Sequence, residues 1–426
     1  MHRLLIVTGS YYPAVLADTH RARLLAPALQ DLGWHVEILT AGVELQRPDA
    51  IEDDSRPFFD LTIPVYFAAP WGMPLFNLFN MRSIGWRAFW PIYFKGKSLL
   101  EEKRFDLVYF TTAQFNLFCL GRLWHWKYGI PYVLDFHDPW VRDELRITTT
   151  KHKLKFYVTA LLSRWLERFA VADAAGVISV SPTYIEQLRE RYSNAKSLAS
   201  NRSAVIPFAA AEHDLAVPCR SVASDGGDII YVGAGGQIMA ESWRRILSLL
   251  DILQRQSATN SAVRFKFLGT EAFWKQGDRK FLVEIAKEYK LEGLVEEHPL
   301  RISYLQAIEA IKSSAGLIIL GVDDPGYMPS KLFAYALSGK PLLACLHQNS
   351  QGNRYFEELP QLGHLIHFGQ ESQNENDLLE LRAFLDEVKE RHWFDRRELI
   401  GPYLAPSTAE RHQVVFERCI ENASHL

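Results

Sequence analysis

Cysteine is scarce in this chain, and its four copies, Cys119, Cys219, Cys345 and Cys419, fall without pairing or metal-ligand spacing. That argues against a disulfide framework or a thiolate metal site, and a reducing, cytoplasmic location is the expectation. Charge of one sign is lacking too. With 47 basic and 50 acidic residues the formal charge is -3, and no basic stripe offers itself to nucleic acid. No apolar run approaches the ~18 residues of a membrane-spanning helix. The N-terminal MHRLLIVTGSYYP turns polar after a short apolar run, so it reads as a first buried strand and not as a leader. The glycine pattern GxGxxG is absent, which disfavours a dinucleotide-binding dehydrogenase. No metal site and no cofactor are expected.

What the chain has is length and apolar surface. Its 426 residues include 11 Trp, 17 Tyr and 25 Phe, more than one hydrophobic core usually serves, so two ordered domains are expected. The organising stretch is 316–346, GLIILGVDDPGYMPSKLFAYALSGKPLLACL. Gly316 to Leu320 reads as a buried parallel strand, Ser330 as the cap of a helix ending at Gly339, and Leu342 to Leu346 as the next strand. Lys331, in the first helical turn, sits badly against the helix dipole unless an anion lies beside it. A phosphate would be such a partner, and a solvated lysine is the plain alternative.

The same strand–loop–helix pattern opens the chain: strand Leu4–Thr8, a loop from Gly9, a helix over 19–32 and a strand His35–Thr40. Gly9 allows close backbone approach to a ligand. His20, Arg21 and Arg23 begin the helix near the expected ligand side or serve an ordinary surface role. Residues 42–60 are polar and read as cover for a sheet edge, and Leu61–Phe67 as a strand. The segment 68–100 mixes Trp71, Phe76, Phe79, Trp86, Phe89, Trp90, Tyr93 and Phe94 with Arg82, Arg87, Lys95 and Lys97. It suits a peripheral membrane surface or an apolar-acceptor pocket, and equally a long helix packed on the core. Pro131–Phe136 forms a strand whose tip presents His137 and Asp138, placed to orient a sugar hydroxyl or a reacting group, or to tie down their loop.

Composition shifts again at 192–226. The chain divides into a first domain over 1–205, a linker over 206–226, a second domain over 227–395 and a C-terminal segment over 396–426 that packs back on the first. Asp228–Val232 opens the second domain and ends in Gly233, Ala234, Gly235 and Gly236, whose backbone N–H groups could hold a phosphate or simply make a turn.

Several phrases then carry a resemblance: the YYP loop, ALQDLGWHVEILT, VLDFHDPW, ADAAGVISVSPTYIEQL, VIPF, YVG and above all PSKLFAYALSGKP. Over its whole length the chain resembles GT-B glycosyltransferases of the large retaining, nucleotide-sugar-dependent group (family 4-like). The resemblance implies an α/β fold of two Rossmann-like α/β/α domains facing a cleft. It implies transfer of a sugar from a nucleotide-diphosphate donor to a small-molecule, glycan or lipid-linked acceptor. Carried over, Ser330 and Lys331 lie against the donor diphosphate, Leu332 near the nucleoside, His137 by the transferred sugar and Gly9 beside the phosphates; with Asp138 added from its place at the strand tip, His137, Asp138 and Lys331 are the expected catalytic set. The sequence departs from the family in three places. Ala334 and Gly326 stand where relatives carry glutamates, with Asp323 and Asp324 just upstream of the second, and Gly235, Gly236 and Gln237 stand where relatives often carry an arginine and a lysine. Arg244 or Arg245 are the candidates to compensate. The alternative is a catalytically inactive homologue acting as partner or regulatory subunit of another transferase.

Overall fold

The computed structural model describes residues 1–70, 83–141, 153–218, 227–256, 263–270, 279–369 and 374–424. Two compact units result: Met1–Pro207 with Ala405–Leu426, and Phe208–Leu404.

In the first unit, seven strands form one all-parallel sheet in the order β3-β2-β1-β4-β5-β6-β7. They are β1 Arg3–Thr8, β2 His35–Ala41, β3 Val65–Ala68, β4 Leu107–Thr111, β5 Tyr132–Phe136, β6 Gly176–Ser179 and β7 Ser203–Val205. The central strands read as unbroken apolar runs because helices cover both faces of a parallel sheet. The helices Ile84–Glu102, Cys119–Tyr128 and Lys153–Ala172 share one core with Leu5, Leu39, Phe110 and Leu134. On the other face, the C-terminal helix Ala405–Ser424 packs beside helix Ala17–Asp31, with Phe416 5.8 Å from Trp34 and 5.0 Å from Tyr109.

The second unit repeats the plan with six parallel strands in the order β10-β9-β8-β11-β12-β13. They are β8 Asp228–Val232, β9 Arg264–Leu268, β10 Val295–His298, β11 Gly316–Leu320, β12 Leu342–His347 and β13 His364–Phe368. Trp243, fully buried against Phe265 and Phe267, anchors its core. In each sheet the winding reverses once, between β1 and β4 and between β8 and β11. A crevice at the carboxyl ends of the strands at such a reversal is where open α/β sheets bind ligands.

Four local expectations change. The strand read at Leu61–Phe67 is the shorter β3, preceded by 3-10 turns at Asp53–Phe58. Edge strand β10, sequence VEEH, was not expected, because two adjacent glutamates hide its apolar pattern. Within the stretch read as a linker, Glu212–Ala216 is helical and Ala210 bridges Leu404 inside the second unit. Ser330 is exposed and does not cap the helix Leu332–Leu337: Lys331 holds the N-cap position, with no side-chain cap bond. The helix does stop at Gly339, whose φ of +74° is left-handed and whose Cα faces the Trp393 indole, leaving no room for a Cβ.

Candidate functional site

At the sheet reversal of the first unit, charged and polar side chains meet in a buried network. Asp135 sits on β5 with no exposed surface. Its carboxylate accepts from Arg21 Nε at 2.9 Å, Tyr109 OH at 2.5 Å and His137 Nε2 at 3.1 Å. Burial would raise this carboxyl, but Arg21 and then His137 outweigh it and hold the group well below the usual carboxylate range. An ionised carboxylate only accepts, so Nε2 of His137 carries a proton. Thr111 Oγ1, 2.9 Å from the same nitrogen, steadies the ring. Arg21 also donates to the carbonyls of Pro207 at 2.7 Å and Ile206 at 3.0 Å, so its guanidinium is committed within the fold.

A second carboxylate, Asp18, lies close by and accepts from Ser10 and from Thr112 at 3.1 Å. Burial raises its carboxyl, against the pull of Ser10, His137 and Thr112. The C-terminal helix closes the network with His412, which burial and Arg21 push down to about 3, so it is neutral. Its Nδ1–H donates to the Thr408 carbonyl at 2.7 Å. Gly9 owes its identity to this packing: a Cβ there would lie 2.8 Å from Thr112 Oγ1 and 2.9 Å from Asp18 Oδ2. Asp138, one residue beyond His137, is exposed.

The second unit's reversal looks different. Lys331 is half-buried, with its ammonium 5.2 Å from the centre of the Tyr231 ring. Burial pushes that ammonium down from the ordinary 10.5 to about 8, and no described carboxylate pairs with it. Gly233, at φ +111°, is the floor beneath the lysine: a Cβ there would come within 2.7 Å of Lys331 Cε. Tyr231 is fixed by its hydroxyl, which donates to the Ala234 carbonyl at 2.6 Å, and Tyr335 OH accepts from Val232 N–H at 2.9 Å.

The glycine loop contributes less as a donor set than its composition suggests. Gly233 N–H is bonded to the Leu268 carbonyl at 2.7 Å and Gly235 N–H to the Thr270 carbonyl at 3.1 Å. Gly236 adopts φ +66° and begins a 3-10 turn. Asp324 accepts from Gly326 N–H at 2.8 Å, which closes its own loop, and Leu332 is fully buried with its N–H on the Pro329 carbonyl at 3.2 Å. Arg244 lines a groove with Gln237, Ile238, Glu241, Val322 and Asp323, but pairs with Glu288 at 3.2 Å and Glu241 at 3.3 Å. Arg245 is bound to Asp377. Both candidate compensating arginines are therefore engaged.

The structure thus joins His137 to Asp135, Arg21 and Asp18, and Lys331 to Gly233 and Tyr231. Asp135 was missed in the sequence, yet a lone acid inside the apolar strand YVLDF was a signal: a buried charge needs a partner. Tyr231 carried no such signal. Among the described residues no group of His, Cys, Asp or Glu is arranged to hold a metal ion.

Residues 19–208 match the model of the glycosyl transferase 4-like domain. The chain has the GT-B fold. Its solved structural neighbours include HepE of Anabaena with UDP and glucose, at 14% identity, TM-score 0.60 and 100% coverage of both chains. The catalytic domain of starch synthase IV from Arabidopsis thaliana, bound to ADP and acarbose, matches at 13% identity and TM-score 0.59 over 99% of each chain. A UDP-forming trehalose-phosphate synthase from Burkholderia xenovorans, with glucose-6-phosphate, matches at 11% identity and TM-score 0.59, covering 98% of this chain and 100% of that one. At these identities the likeness is one of fold. No curated protein sequence matches the chain.

Proposed function

We propose that this protein is a glycosyltransferase that moves a sugar from a nucleoside-diphosphate donor, held by the second unit, to an acceptor. The observation that carries the reading is Lys331, an ammonium depressed to about 8 by burial with no described anion beside it. Leaving a buried charge unpaired is costly, and an arriving diphosphate removes that penalty. Breaking the sugar–phosphate bond builds negative charge on the leaving diphosphate, and a preset cation in a dry site stabilises that charge. Neighbours that hold UDP or ADP support the same ligand class. In this reading His137, fixed by Asp135, is the first unit's contribution at the transferred sugar, with Asp138 beside it. Ser330, Leu332, Asp324 and the loop of Gly233, Gly235 and Gly236 are the second unit's proposed donor residues, and Gly9 is the first unit's. The proposed outcome is retention, by same-face attack with the leaving phosphate taking the acceptor proton, in the cytoplasm.

A second reading has its own observation. Ala334 and Gly326 supply no carboxylate, and Arg244 and Arg245 are engaged elsewhere. A nucleotide-free homologue serving as a partner subunit would look the same. Calorimetric titration of UDP, GDP, ADP, CMP and dTDP into the wild type and Lys331→Ala separates the two. Selective binding of one nucleotide, weakened at least tenfold by the substitution, is expected. A folded wild type that binds none of them would remove the transferase reading and leave the partner role.

A further inference from the structure

Something has to hold the Lys331 ammonium before any donor arrives. A lysine stem is flexible, and a charge without a partner in a half-buried site is drawn outward to water. The acids of the preceding loop do not supply the partner. Asp324 accepts from Gly326 N–H at 2.8 Å, and Asp323 lies 3.7 Å from His347. The titratable groups that act on Tyr231 are two more phenols, Tyr327 in the loop before Lys331 and Tyr335 on the helix after it. Burial raises the Tyr231 and Tyr335 hydroxyls well above their ordinary 10, so both rings are neutral. What meets the ammonium is the Tyr231 ring, whose centre is 5.2 Å from Lys331 Nζ. That is inside the ~6 Å over which a ring face attracts a cation.

The ring is held where it is. Tyr231 is 2% exposed, belongs to the core of the second unit and lies 6.2 Å from Phe267. Its hydroxyl donates to the Ala234 carbonyl at 2.6 Å, which ties the side chain to the glycine loop following its own strand. Gly233 makes room for the lysine stem, since a Cβ there would stand 2.7 Å from Lys331 Cε and 3.0 Å from Nζ. Gly235 lies against the same ring, with Tyr231 Cε1 3.6 Å from where its Cβ would be. A leucine would fill the core as well, but only an aromatic ring offers a cation its face.

We propose that Tyr231 is a positioning residue of the donor site: its ring holds the Lys331 ammonium over Gly233, where an arriving diphosphate meets it. The proposal rests on the transferase reading and adds to it a residue that acts through the lysine. The ring attracts the ammonium and not the neutral amine, so it favours the form that a diphosphate needs. Its influence on binding is therefore largest near pH 8.5, where the buried lysine is losing its proton. Near pH 6 the lysine is charged with or without the ring, and the influence is smallest.

Calorimetric titration of UDP, GDP, ADP, CMP and dTDP into the full chain identifies the nucleotide bound, and Lys331→Ala shows whether the lysine holds it. That nucleotide is then titrated at pH 6 and pH 8.5 into Tyr231→Leu and Tyr231→Phe. Tyr231→Leu is expected to lose at least fivefold more affinity at pH 8.5 than at pH 6. Tyr231→Phe keeps the ring face and lacks only the hydroxyl, so its losses at the two pH values should agree within twofold. A substitution that merely loosens the fold loses equally at both. Should Tyr231→Leu not fold, replacement of Tyr231 by trifluorophenylalanine keeps the shape of the ring and drains its face of negative charge. Relative to Tyr231→Phe it is expected to show the same pH-dependent loss. Wild-type binding by the folded variant that lacks the ring face, or an equal loss at both pH values, overturns the proposal and leaves the transferase reading standing. A wild type that binds no nucleotide, or binds it equally after Lys331→Ala, overturns the reading and the proposal with it.

Discussion

The two sheet reversals handle buried charge in opposite ways. In the first unit Asp135 is surrounded by Arg21, His137, Tyr109 and Thr111, and Arg21 in turn reaches two backbone carbonyls. The charges there are matched within the protein, so the network is finished before any ligand comes. In the second unit Lys331 has an aromatic face and a glycine floor but no described counter-ion. One site is a closed framework that fixes a histidine; the other keeps a cation in reserve. A functional site is read better from the group whose partner is missing than from the group with the most contacts.

The comparison breaks most sharply at Asp135. Asp135→Asn leaves Arg21 buried beside a neutral amide and should destabilise the first unit by about 3–5 kcal/mol, read from urea unfolding. If stability falls by less than about 1 kcal/mol, the network is not the framework described here.

Lys331 should behave in the reverse sense. Its folded pKa, about 8, lies below the ordinary 10.5, so between those values the unfolded chain binds more protons. The penalty on the fold is full below pH 8 and fades as pH rises toward 10.5. Wild-type stability should therefore climb relative to Lys331→Met between pH 7 and 10, and equal pH profiles would remove the desolvated lysine. Nucleotide binding at pH 8.5 should take up a proton as the anion restores the ordinary pKa, whereas binding at pH 6 should not. Titration in buffers of different ionisation enthalpy reads this directly.

Two serines sharpen the local picture. Ser303 caps helix Tyr304–Ser313, accepting from Gln306 N–H at 3.3 Å while the Gln306 side chain returns a bond to Ser303 N–H at 3.0 Å. Ser303→Ala should cost about 1 kcal/mol in thermal or urea unfolding. Ser330, expected to cap and found not to, should cost less than about 0.5 kcal/mol on replacement by alanine. A larger loss would mean that the loop before Lys331 depends on its hydroxyl.

Much of the architecture was legible because it rests on local patterns. Apolar runs such as GLIIL and LLIVT mark strands buried on both faces, and glycines such as Gly33 and Gly339 mark helix ends. The alternation of strand and helix leads to two parallel sheets. Where the pattern is diluted, as in the VEEH edge strand, the reading fails. Part of the aromatic segment 68–100, including Trp71, Phe76, Phe79 and Arg82, lies outside the described residues. The described part divides by face: Ala88 and Ile92 are buried, Trp90 and Phe94 exposed.

By itself the sequence determined the class of fold, the position of the lysine after β11 and the histidine at the tip of β5, since each follows from hydrophobic period and chain order. Only the tertiary structure decided their electrostatic state. Asp135 and Arg21 are 114 residues apart, and Lys331 lies far in sequence from Tyr231 and Gly233. Whether a charge is answered or left waiting depends on which strands the sheet makes neighbours, and on how much water that packing removes.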